Sequence, residues 1–197
     1  MRSVPLLVYV ALAVAMSACS IPEGDQSSPT GVHYLWIQQR AAGGAGNDAL
    51  WELLDPNVKK ELERWLTAEK QTLALIKASY PKEDAQKALA AIGGDKRGQA
   101  KDARALFDVI VKPPPAALGM LGAVAAHVRS EEVAGDGQSA TLRTFGGDDV
   151  SLVKGEDGHW YVSLPSADLE RLRNARSMAE QNLQRVQSNL KKLANPK

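Results

Sequence analysis

A change of period at His127 limits what this chain can fold into. Before it, apolar residues recur at helical spacings of three and four. After it they alternate, and glycine clusters punctuate the alternation. Gly135-Asp136-Gly137, Gly146-Gly147-Asp148 and Gly155-Glu156-Asp157-Gly158 recur every ten or eleven residues. That rhythm predicts four short strands in an antiparallel meander. Ala140 and Leu142 oppose Thr141 and Arg143. Val150 and Leu152 flank Ser151. Trp160, Val162 and Leu164 oppose His159, Tyr161 and Ser163. One face is apolar and must be covered by preceding helices, so the fold class is α+β. The helix carrying Trp65 is the expected cover for Trp160.

The helices before the sheet have readable ends. Ser28-Pro29 is a cap followed by proline at the first helical position, and Gly43-Gly44 is a stop. Val32, Leu35, Trp36 and Gln39 share one face. Asn47 can cap a short helix with Leu50, Trp51, Leu53 and Leu54. Asp55-Pro56 repeats the start signal for a long helix striped by Val58, Leu62, Trp65, Leu66, Leu73 and Ile76. Pro81 opens another short helix, which Gly93-Gly94 stops. GGDKRGQ (93–99) is a loop, and Ala103, Leu106, Phe107 and Ile110 mark a further helix. Ala116 to Ala126 holds only Ala, Leu, Met, Val and Gly, and reads as a helix buried on all sides, the alternative being a lid or cavity wall.

The last helix starts at Ser166. Its stripe runs Leu169, Leu172, Ala179, Leu183, Val186, Leu190, Leu193, and only Arg176 breaks it. A coiled-coil seam and a helix lying along the domain both fit that spacing. From Ala167 to Ala194 it would be about 42 Å long, more than a small domain's diameter of about 30 Å. Its end is therefore expected to project. Leu183, Val186, Leu190 and Leu193 are the candidate face for self-association or a protein partner.

The N-terminus carries a different message. Arg2 precedes an apolar run, Val4 to Met16, of 13 residues. A membrane span needs roughly 20, so this reads as a signal core. Ala13-Val14-Ala15 is itself a cleavage site for ordinary secretion. Met16-Ser17-Ala18-Cys19, however, places the only cysteine of the chain directly after small residues. The stretch resembles a bacterial lipobox, with Met16 where Leu is commonest. The resemblance implies cleavage before Cys19, lipid on its sulfur and anchorage in the cell envelope. Ser20 lacks the Asp that would retain an enteric-type lipoprotein at the inner membrane, so the periplasmic face of the outer membrane is implied.

Two further stretches carry a second resemblance. LWELLDPNVKKEL (50–62) and GQSATLRTFGGDDVSLVKGEDGHWYVSLP (137–165) are similar to segments of bacterial lipoproteins related to the nuclear-transport-factor-2-like superfamily. That resemblance implies helices against a curved sheet forming a cone. It implies no single activity, since such folds serve enzymes, carriers and interaction modules. The helices between Pro81 and Ala126, and the last helix, lie outside the pattern.

The expected organisation is a signal peptide (1–18), lipidated Cys19 with a flexible tether (19–29), an α+β domain (30–165) and a C-terminal amphipathic helix (166–197). Once Arg2 leaves with the signal, the 24 basic side chains drop to one fewer and balance the 23 acidic ones. No basic excess points to nucleic acid. No spacing points to a metal or a cofactor. His33, His127 and His159 stand apart. His127, at the first strand, is the candidate pocket residue. The acidic residues cluster in hairpin turns, where solvated turn chemistry accounts for them. No catalytic signature emerges. The chain reads as a non-catalytic binding or interaction module. The alternative is a small cavity-containing enzyme or apolar-ligand carrier of the cone type.

Overall fold

The computed structural model describes residues 21–41, 48–92, 97–110 and 120–194. Cys19, the signal segment and the glycine stops at 43–44 and 93–94 lie outside these residues. The order is α1 (Pro29–Ala41), α2 (Asp48–Glu52), α3 (Pro56–Ser79), α4 (Lys82–Ala91), α5 (Ala103–Ile110), α6 (Met120–Ala126), β1 (Val128–Val133), β2 (Ser139–Thr144), β3 (Asp149–Lys154), β4 (Trp160–Val162) and α7 (Ser166–Ala194). The class is α+β, with helices first, a four-stranded antiparallel sheet and a long final helix. The chain divides into two compact units, each drawn from two separated stretches. One takes the chain up to Ala45 and Pro114–Ser163. The other takes Gly46–Pro113 and everything from Leu164 on.

In the first unit the strands pair in sequence order, β1-β2-β3-β4. The three glycine clusters are the three turns. Gly137, Gly147 and Gly158 take positive φ of 67°, 87° and 83°, which a side chain would strain. Register places Ala140 opposite Leu152 and Leu152 opposite Val162, so the three form one cross-strand row. Ala140, Leu142, Leu152, Trp160 and Val162 are all buried. β1 is an edge strand, exposed beyond Val128 and carrying Glu131 and Glu132, which disfavour pairing with another chain.

α1 packs on this sheet, most closely on β4. Ser28 caps it as expected, its Oγ accepting from Gly31 N at 3.0 Å. Trp160 is buried, on the strand that α1 packs against. α6 is not buried on all sides: Ala123 is buried, while Val124 is exposed.

The segment expected as a free tether is docked from Pro22 onward. Trp160 N donates to Gln26 O at 2.9 Å, and Gln26 Nε2 donates to Trp160 O at 3.2 Å. Both main-chain groups of Trp160 on the β4 edge are thereby satisfied. Gln38 Nε2 donates to Pro22 O at 2.8 Å. A Cβ at Gly24 would overlap the backbone of Gly31 and Leu35. Composition suggested a tether because the segment is polar and aperiodic. Its polar groups are instead spent on the fold.

The second unit is helical. Asp55 caps α3 through Asn57 N at 2.8 Å. All six residues of the expected α3 stripe are buried. Trp65 Nε1 donates to buried Glu69 at 3.1 Å, so the indole N–H is satisfied inside. Phe107 of α5 meets Trp51 edge-on, with ring centroids 5.8 Å apart.

Replacing Trp160 with Ala empties a large aromatic from the sheet unit. The expected loss is about 3–5 kcal/mol in urea or thermal unfolding. An unchanged midpoint would show that the apolar face of the sheet has been misassigned.

Candidate functional site

α7 packs along α3, and the pairing has a direction. Arg176 Nε stands 2.8 Å from Glu61 Oε2. Further along, Glu63, Arg64, Thr67, Ala68 and Gln71 of α3 face Glu180 and Leu183 across a shallow groove. Residue numbers rise together on both helices, so the two run parallel. Carrying the Glu61–Arg176 offset along brings Ser79 level with Ala194. Burial at Val186 carries the packing well past the middle of the helix, while Leu193 near its end is exposed.

The candidate interaction face is accordingly divided. Val186 is buried; Leu183 and Leu190 are half-buried; Leu193 is exposed at 62%. Buried Leu172, Ala179 and Val186 stand seven residues apart and form the seam. Arg176, the break in the stripe, is the seam's charged member. Its side chain is 24% exposed and that of Glu61 is 18%. The ion pair is close, but neither Arg176 Nε nor Glu61 Oε2 makes a well-directed hydrogen bond. Glu180, one turn on, shares the guanidinium at 3.4 Å.

Near the start of this pair lies an apolar cleft of about 460 Å³. Val58, Leu62 and Trp65 of α3, Phe107 and Ile110 of α5, and Leu172 and Ala175 of α7 form its walls, with Leu164 beside them. Asp168 and Arg171 line it as well, joined to each other at 2.9 Å with exposed side chains. Its volume falls in the range of small-molecule sites, roughly 300–1,000 Å³. No other titratable side chain lines it. The cleft was not visible in the sequence. Val58, Leu62, Trp65, Phe107, Ile110 and Leu172 read as ordinary stripe positions, and only packing shows that the stripes leave space between them. Ile110, exposed at 45% beside buried Phe107, is the one odd member.

His127 is elsewhere, in the sheet unit. It follows α6, and Tyr34 meets its ring edge-on at 5.8 Å. Its Nε2 is buried without a hydrogen-bond partner. Among the described residues, no ion pair or hydrogen bond joins it to a carboxylate. His33 is more deeply placed, 2% exposed on α1. Its Nε2 donates to Ala126 O at 2.8 Å, which leaves Nδ1 buried and unpartnered. Burial holds the His33 pKa below its ordinary 6.5, only partly opposed by the Ala126 bond. His159 is exposed, 3.5 Å from Asp157. The turn carboxylates serve the turns: Asp136 accepts from Gln138 N, and Asp157 accepts from His159 N and Tyr161 Oη. The Tyr161 bond, with that from His159 N, holds the Asp157 pKa below the usual carboxylate range. Among the described residues, no group of three or more His, Cys, Asp or Glu could hold a metal ion.

No protein-family model, curated protein or solved structure matches this chain. The resemblances of 16–19, 50–62 and 137–165 rest on those residues alone. Stretch 50–62 falls in the helical unit, and 137–163 falls in the sheet unit.

His33 gives a pH prediction. Its folded pKa is depressed, so its contribution is intact above about pH 6.5 and is lost as pH falls below that value. The carboxylates with lowered pKa, Asp25 and Asp157, matter only below their ordinary 3.8. The urea midpoint should therefore drop between about pH 7 and about pH 5. His33→Gln, which keeps a donor for Ala126 O, should flatten that dependence. A wild-type midpoint constant across the window would contradict the assignment.

Proposed function

We propose that this chain is a lipid-anchored protein of the bacterial cell envelope, attached through Cys19 at the periplasmic face of the outer membrane. It works there as a non-catalytic binding module. Its ligand is small and apolar and enters the cleft between α3, α5 and α7. The observation that carries the binding role is the composition of that cleft. Its walls are aliphatic and aromatic, and charge is confined to the exposed Asp168–Arg171 pair. Such a lining rewards transfer of apolar surface from water, and its one carboxylate, Asp168, is paired with Arg171. The anchor rests on the order of residues 16–19. No helix among the described residues is long and apolar enough to cross a membrane.

The alternative, a cone-type enzyme or carrier using a cavity at His127, is the weaker reading. Tyr34 meets the His127 ring edge-on, and among the described residues no hydrogen bond or ion pair joins that ring to a carboxylate. An acid–base histidine needs a partner that sets its charge.

Both halves of the proposal can be tested on one preparation. Cys19→Ala should move the protein from the membrane to the soluble periplasmic fraction without changing its affinity for N-phenyl-1-naphthylamine, an apolar fluorescent probe. Ala175→Phe should fill the cleft and weaken probe binding about tenfold or more, about 1.4 kcal/mol. Probe affinity untouched by Ala175→Phe rejects the cleft as the site. A Cys19→Ala protein still sedimenting with membranes rejects the anchor.

A further inference from the structure

The docked segment 22–28 changes what a lipid on Cys19 would do. The segment runs back along α1. Ser28 caps the first turn, Gly24 lies against Gly31 and Leu35, and Pro22 O is held by Gln38 near the last turn. The chain therefore enters the sheet unit at the C-terminal end of α1. Two residues, Ser20 and Ile21, separate Cys19 from Pro22, and the three steps fully extended reach at most about 11 Å. A tether free as far as Ser28 would reach about 30 Å.

The other end of the unit is equally well placed. Thr30 Oγ1, at the start of α1, donates to Glu131 of β1 at 2.6 Å. Tyr34 Oη, one turn on, accepts from Val128 N at 3.3 Å. α1 and β1 thus run in opposite directions, and the β1–β2 turn at Gly135–Gly137 lies beyond the N-terminal end of α1. A helix of 13 residues is about 20 Å long.

We infer that the C-terminal end of α1, Gln38 to Arg40 with Pro22 beside it, is a membrane-apposed surface whose partner is the phospholipid bilayer carrying the Cys19 lipid. The inference rests on the anchor reading above. The short leash does the holding, and charge does not. Arg40 is the basic residue of the last turn and Glu23 stands on the strap, so the two signs offset. Apposition should therefore be insensitive to salt, unlike attraction to an anionic leaflet. Along the axis of α1, the β1–β2 turn lies at the opposite end, about 20 Å or more away.

The test uses the full chain, processed in cells, purified in detergent and reconstituted into phosphatidylethanolamine–phosphatidylglycerol vesicles containing a headgroup-nitroxide lipid. Cys19 is the only native cysteine, so a second cysteine is the only free thiol once Cys19 is acylated. Gln39→Cys and Asp136→Cys, both at exposed positions, carry the same fluorophore. Intact mass is read first. An acylated Cys19, with several-fold stronger quenching at position 39 than at 136, in low and high salt alike, supports the inference. Inserting a Gly-Ser linker of about ten residues after Ser20 should then abolish the difference. Equal quenching at both positions of an acylated protein overturns the inference and leaves the anchor standing. A mass without acyl chains overturns the anchor reading, and this inference with it.

Discussion

The helical unit depends on two long helices packed in the same direction. Antiparallel helices can be joined by a short turn; parallel ones cannot, because the chain must travel back before the second begins. Here α4, α5, α6 and all four strands lie between α3 and α7 in sequence. That is why the unit is assembled from two stretches of the chain. α3 supplies Val58, Leu62, Trp65, Leu66, Leu73 and Ile76, while α7 supplies Leu172, Ala179 and Val186. Aliphatic seams of this kind tolerate sliding by a heptad. A charged pair inside the seam does not, because a shifted register would leave Glu61 and Arg176 part-buried without each other. We read the pair as a register device and not as a source of net stability.

The sheet unit solves a different problem. β4 is only three residues long, and an unpaired edge there would expose Trp160's main-chain groups. The segment before α1 occupies that position through Gln26, so a stretch that composition marks as linker becomes part of the sheet's border. The same docking shortens the path from Cys19 to the folded unit, and so links the sheet's edge to the geometry of any anchor.

Much of this was legible from the residues. The glycine turns, the strand alternation, the Ser28 and Asp55 caps and the α3 stripe all follow from local chemistry, and local chemistry decided them. What was not legible is relational. A stripe says which face is buried and not against what. The stripe gives the row Leu183, Val186, Leu190, Leu193, but nothing local says that α3 runs beside it and buries Val186. Arg176 was seen as a break, but its meaning needed Glu61, far away in sequence. The polar segment 22–28 was read as tether because docking through main-chain groups leaves no apolar signature.

The parallel pairing of α3 and α7 is open to a direct measurement. Nitroxide labels at Ser79 and Lys192, both exposed, are placed in a chain whose Cys19 is acylated or replaced by serine, and their separation is read by pulsed electron resonance. Parallel helices in the Glu61–Arg176 register bring these sites nearly level, about one helix diameter plus the label arms apart, on the order of 20 Å. A separation longer by about the length of α3, roughly 36 Å more, or a broad distribution from a projecting helix end, would contradict the pairing and the cleft built on it.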